Sequence, residues 1–176
     1  IIIEDDLVVS KFFLKYMNES LKKFRNFKRV WHISAWNYDI KNTNSKNDAF
    51  FIGNMNCWGW GTWRDRWLKL NTKSKYFIKK FNNKEKYKFN LEGSFENFSQ
   101  IIRNHNKTIS TWAIFWNATI FLNNGLCLNP VKSLTINIGQ DSSGTNTINS
   151  QLLNNRLSNN KKFKLPTSIK EDFKIR

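Results

Sequence analysis

Apolar and polar positions along this chain switch between two periods, and the switches mark out its elements. Ile1-Ile2-Ile3 is a β-branched run that predicts a strand, and it delivers three consecutive carboxylates, Glu4-Asp5-Asp6, at its carboxyl end. Ser10 is placed to cap a helix over residues 11–25, where Phe13, Met17, Leu21 and Phe24 recur at near-helical spacing. Val30 to Ala35 reads as a short strand, the polar stretch from Asn37 to Asp48 as a loop, and Phe50 to Gly53 as another strand. Lys-rich helical pieces follow over 74–81 and 95–104. Ser110 then caps a helix that carries Trp112, Phe115, Trp116, Thr119 and Ile120 on one face, with Gly125 just past its end. Leu126-Cys127-Leu128 and Leu134 to Ile138 predict the last two strands, and Gly139 to Thr145 a turn-rich loop. From about Ser150 the pattern becomes an Asn- and Lys-rich tail expected to have little order. Strands that alternate with helices predict an α/β fold built on a sheet.

Composition narrows the class. With 176 residues, 40% hydrophobic and 15% aromatic, the chain can bury one sizeable core and is not a disordered tail. No apolar run is long enough for a transmembrane helix, and no signal peptide is visible. The net charge of +16 would suit nucleic acid, nucleotide substrates or an anionic membrane surface. Yet the lysines sit in segments crowded with Asn, Ile and Phe (Lys69 to Lys88, Arg156 to Arg176), the composition that an AT-rich genome writes by default. Cys57 and Cys127 have no metal-binding spacing, and the four Asn-x-Ser/Thr sequons at Asn18, Asn97, Asn106 and Asn117 are about the number chance supplies.

Candidate chemistry concentrates in two places. Three adjacent acids repel one another, and oxygen ligands at a strand end suit Mg²⁺ or Mn²⁺ beside substrate phosphates. The alternative is a solvated turn whose acids favour the start of the next helix. Between Cys57 and Trp67 lies the densest aromatic stretch, with glycines between tryptophans that would let backbone approach a ligand and indoles that could carry a sugar face. Against that stands the ordinary role of tryptophan in a core, and for Arg64, Asp65 and Arg66 a salt-bridged helix start. His32 and His105 lack paired ligand spacing, and His32, in an apolar strand, reads as a core residue.

Taken in order, IIIEDDLVVSKFFLKYMN, CWGWGTWRDRW, STWAIFW and GLCLNPVKSLTINIGQDSSGT resemble a family of bacterial sugar transferases similar to the N-acetylglucosaminyltransferase I type of GT-A glycosyltransferase. The resemblance covers residues 1 to about 145. It implies a GT-A-like mixed sheet flanked by helices, with 1–149 as the catalytic and acceptor portion and 150–176 as a basic tail. It also implies transfer of a sugar, with inversion, from a nucleoside-diphosphate donor to a glycan or other hydroxyl acceptor. By the same resemblance Asp6 holds Mn²⁺ or Mg²⁺, and Glu4 and Asp5 contact the donor. Trp58, Gly59, Trp60, Trp63, Arg64 and Trp112 line the sugar and acceptor site.

The chain departs from the family twice. Ser110, Thr111 and Ala113 offer no carboxylate where the family brings a general base, which leaves Asp65, the acid nearest the aromatic stretch, with Asp141 as second choice. The nucleotide-binding half that precedes the acidic triplet in such enzymes is absent, so upstream sequence is expected, and the half-sheet should expose a strand edge and an apolar face. A cytoplasmic or membrane-peripheral location follows. A metal-independent carbohydrate-binding remnant and a basic nucleic-acid-binding module are the competing classes.

Overall fold

A computed structural model describes residues 1–40, 46–139 and 156–172. Its elements are β1 (Leu7–Val9), α1 (Phe13–Phe24), β2 (Val30–Ser34), β3 (Ala49–Ile52), β4 (Trp60–Gly61), α2 (Arg64–Trp67), α3 (Ser74–Lys80), α4 (Asn83–Phe89), α5 (Asn97–His105), α6 (Ala113–Leu122), β5 (Leu126–Pro130) and β6 (Thr135–Asn137). A mixed four-stranded sheet runs β3-β5-β2-β4, with β2 and β5 parallel and the outer strands antiparallel to them. β1 and β6 form a separate antiparallel pair, Val8 opposite Ile136.

β2 and β5 are buried along their whole length, which is why they read as apolar runs rather than alternating ones. One face of the sheet meets α1, whose Phe13, Tyr16, Met17 and Phe24 pack with Ile33, Phe51 and Leu128. The other face meets α6 through Trp31, Trp60, Trp116, Ile120 and Cys127. A register irregularity falls between Val30 and His32, and both Trp31 and His32 reach Trp116. Such a bulge turns neighbouring side chains to one side. α3 to α6 enclose a second, phenylalanine-rich core of Phe77, Phe81, Phe89, Ile101 and Phe115.

Four differences from the sequence pattern stand out. The strand expected at Ile1 to Ile3 is a single bridge, Ile2 to Trp60, and the strand proper follows the acids instead of preceding them. α4 lies where only a connection was expected, and it starts on a capping box in which Asn82 and Glu85 satisfy each other's backbone N–H. Ser110 does not cap α6; the Thr111 hydroxyl accepts from the Ala113 N–H. The tail is not loose over 156–172: Leu165 joins the core under α1, Phe163 packs edge-on against Tyr16 at 5.1 Å, and the Ser10 hydroxyl donates to the Ser158 carbonyl.

The edges of the sheet are partly covered. Glu171 bridges to Phe51 outside β3, and Ile2 bridges to Trp60 outside β4. On the small pair, Val8 of β1 and Ile138, just past β6, are exposed. Of the four sequons, Asn97 and Asn117 are buried and bound to Asn54, closed to glycosylation in the folded chain.

Candidate functional site

The acidic triplet occupies a tight turn between the Ile2 bridge and β1, closed by the Leu7 N–H on the Glu4 carbonyl. Its position is set by two pairings. Ile2 and Trp60 exchange both backbone hydrogen bonds, and β1 lies along β6. Because Trp60 pairs with Ser34, and the Ala35 N–H donates to the Gly59 carbonyl, the turn sits beside the carboxyl end of β2. That is the end of a parallel strand where α/β sheets bind ligands.

Within the turn the acids differ. Asp5 is exposed. Asp6 is fixed: its Oδ2 accepts from Asn137 Nδ2 at 3.0 Å, and its carbonyl accepts from the Ile138 N–H. Its Oδ1 is buried and has no hydrogen-bond partner among the described residues. Gly139 makes the room, since a Cβ there would stand 2.8 Å from Asp6 Oδ2. The Glu4 carboxyl is held above the usual carboxylate range by partial burial, then by the charges of Asp6 and Asp5. A buried carboxylate oxygen with no donor among the described residues, near a second acid whose charged form is disfavoured by partial burial and then by like charge, is a place that a cation would relieve.

Cys57 lies near enough to this turn to feel its charge, and Trp58 follows it in the chain. Burial pushes the Cys57 thiol up to about 12, with Glu4 adding to the rise, so the sulfur stays protonated. Trp58 packs edge-on against Trp36 at 4.6 Å, and Trp36 against Tyr38 at 4.7 Å. Burial also raises the Tyr38 phenol. Trp36, Tyr38, Cys57 and Asn137 were not anticipated as site residues. The signal was available, because Trp36 to Tyr38 directly follow a central strand and so leave it at its ligand-binding end.

Several expected site residues are placed elsewhere or occupied. Trp60 is 1% exposed and sandwiched between His32, at 5.1 Å, and Trp112, at 5.3 Å, so neither indole face is open to a sugar. Trp112 keeps part of its surface exposed beyond that stack. His32 is a core residue, as its strand predicted. Its Nε2–H donates to the Asn56 carbonyl, its Nδ1 accepts from Trp116 Nε1, and burial lowers its pKa to about 4. Gly59, with φ +75°, is buried, and the place of its missing Cβ is taken by Thr135 and Phe13, not by a ligand.

Asp65 and its neighbours are at the wrong end. The segment from Gly59 to Trp67 starts beside Ala35, after β2, and ends beside Arg25 and Phe27, before it. Asp65 is largely exposed there, with Arg66 Nη1 at 2.8 Å and Lys28 Nζ at 3.7 Å. The hydrogen bond from Arg66 first, then the two cationic charges, holds its carboxyl below the usual range. It is therefore a weakened base, separated from Asp6 by the length of β2. Arg64 lies at the same distant end, and Trp63 has the Arg66 guanidinium 4.6 Å from its ring centre. The start of α6 holds no carboxylate: the Thr111 N–H bonds to Asn104. Asp141, the other expected base, lies outside the described residues.

A divalent ion would find Asp6 Oδ1 and Glu4 as ligands. Among the described residues no group of three or more His, Cys, Asp or Glu is arranged to hold a metal alone. One or two carboxylates are the usual protein share for Mg²⁺ or Mn²⁺ when phosphates supply the rest, so the donor set suits a shared ion and not a closed cage. No helix among the described residues is long and apolar enough to cross a membrane. No protein-family profile matches the chain, and no curated protein matches its sequence.

Proposed function

We propose that the chain carries the metal and acceptor side of a GT-A-like, metal-dependent glycosyltransferase. The observation that supports this reading best is the Asp6 carboxylate, whose Oδ2 Asn137 holds in a turn beside the carboxyl end of β2 and whose buried Oδ1 has no partner among the described residues. Asp6 and Glu4 would hold Mn²⁺ or Mg²⁺. Once bound, the ion would neutralise charge on the leaving nucleoside diphosphate. Asn137 orients Asp6, and Gly139 leaves the space that the carboxylate needs. Trp58, Trp36 and Tyr38, packed edge-on in a row, would offer an aromatic edge for a sugar ring.

In the reaction an acceptor hydroxyl oxygen bonds to the anomeric carbon as the bond from that carbon to the diphosphate oxygen breaks. The hydroxyl proton passes to a carboxylate. The hydrogen bond from Arg66 and its place at the other end of β2 count against Asp65 in that role, and Asp141, two residues beyond Gly139 in the chain, is the carboxylate we assign to it. The test is turnover of a panel of nucleoside-diphosphate sugars with Mn²⁺. Activity that disappears in Asp6→Asn, and falls about 10²-fold or more in Asp141→Asn with donor binding kept, would support the assignment.

A second reading has support in the missing carboxylate at Ser110 to Ala113: a binding module that holds glycans without chemistry. Metal-independent glycan binding without donor turnover would establish it and overturn transfer.

A further inference from the structure

At the end of the sheet away from the acids, the last turn of α1, the α1–β2 turn and the start of α2 enclose an open groove lined by Lys22, Arg25, Lys28 and Arg64. Its one carboxylate, Asp65, is engaged by Arg66 and Lys28. Arg66 is buried and committed to the fold, donating to the Arg25 and Phe27 carbonyls. The groove thus presents cations with almost nothing to neutralise them. Two large apolar side chains are exposed nearby in the chain, Phe27 in the α1–β2 turn (44%) and Leu68 just past α2 (72%).

We infer that this end of the molecule docks on an anionic phospholipid bilayer. Clustered Lys and Arg are drawn to an anionic surface within about one Debye length, and apolar tips beside them can enter the interface between headgroups and chains. Single-stranded nucleic acid, the other polyanion, needs open aromatic faces for its bases, and the groove's ring, Trp63, already has Arg66 against it. With the groove on a membrane, Asp6 and Trp58 lie at the far end of β2, so docking would not cover them. The inference does not depend on the transferase reading.

Co-sedimentation with vesicles tests it. At low ionic strength the chain should bind vesicles of phosphatidylcholine mixed with phosphatidylglycerol, and not phosphatidylcholine alone. Replacing Lys22, Arg25 and Arg64 together by Gln should weaken binding about hundredfold, from roughly fivefold for each cation. Leu68→Ser should weaken it further and leave the salt dependence unchanged. The same loss of charge elsewhere, with Lys79, Lys80 and Lys84 replaced by Gln, should leave most binding intact. Circular dichroism confirms that each variant is folded. Equal loss in the two triple variants, equal binding to neutral vesicles, or displacement of the vesicles by a single-stranded oligonucleotide that binds the groove would each overturn the inference.

Discussion

Replacing Gly59 by alanine would put a methyl group where the fold has no space for one. The new Cβ would lie 2.7 Å from Thr135 Cγ2 and 3.0 Å from Phe13 Cε2, on a backbone whose φ of +75° already disfavours a side chain. The left-handed conformation costs about 1–2 kcal/mol and overpacking a close-packed site about 1–3 kcal/mol, so roughly 2–5 kcal/mol is expected. That is a large part of the ~5–15 kcal/mol that holds a domain together. Gly93→Ala separates the two contributions, because φ there is +93° but the nearest atom, Tyr87 Cε2, is 4.0 Å away. Only the backbone cost of about 1–2 kcal/mol should appear. Thr135→Ser deletes the clashing methyl and keeps the hydroxyl that donates to the Trp58 carbonyl, so in combination it should recover part of the loss. Urea unfolding followed by tryptophan fluorescence gives all four values, provided the slope stays constant. A Gly59→Ala cost no greater than that of Gly93→Ala, or no recovery in the double variant, would refute the packing argument and return Gly59 to a ligand-facing role.

Three more outcomes follow from the geometry. His32 is neutral in the fold, with a pKa lowered to about 4 by burial, while the unfolded chain takes up a proton near 6.5. Stability should therefore be full above pH 6.5 and fall by up to about 3 kcal/mol as pH drops towards 4; an imidazole NMR titration that shows His32 protonated within that window would contradict this. Asp65→Asn should cost under about 1 kcal/mol, because the pair is solvent-screened on the Asp65 side, and should leave any turnover intact; a large fall in turnover with the fold unchanged would restore it as a base. Cys57, with its thiol at about 12, and the fully buried Cys127 should both resist iodoacetamide in the native chain and react after unfolding, so fast native labelling of either would show that its burial is wrong.

The elements easiest to read were those whose pattern and packing coincide. Phe13, Met17 and Phe24 mark the buried face of α1, and the apolar run of β2 marks a strand covered on both sides. The apolar run of β5 stops at Leu128, yet Pro130 is the last strand residue, paired with Ala49, where a missing N–H is tolerated. α4 announced itself only through Asn82 and Glu85, which a search for apolar periodicity passes over. Ile1 to Ile3 look like a strand by residue type, but all three are exposed and, among the described residues, only Ile2 of the three forms a bridge. The site was legible in its acids and not in its surroundings. Residue type does not say which indole is stacked inside, so Trp60 was read as a platform. Nearness in sequence does not give strand direction, so Asp65 was assigned to a site from which β4 carries it away. Trp36 and Tyr38 needed the knowledge that β2 is central and parallel to β5.

The proposed site has Asp6, with Glu4, gripping a divalent cation. Paramagnetic broadening of backbone amide signals by Mn²⁺ in the isotope-labelled chain addresses it without needing a donor or an acceptor. The account requires the signals of Glu4 to Leu7, Cys57 to Gly59, and Asn137 and Ile138 to broaden first, those of Arg64 to Leu68 to stay sharp, and the effect to vanish in Asp6→Asn. Broadening that is uniform, that centres elsewhere, or that survives Asp6→Asn would contradict it.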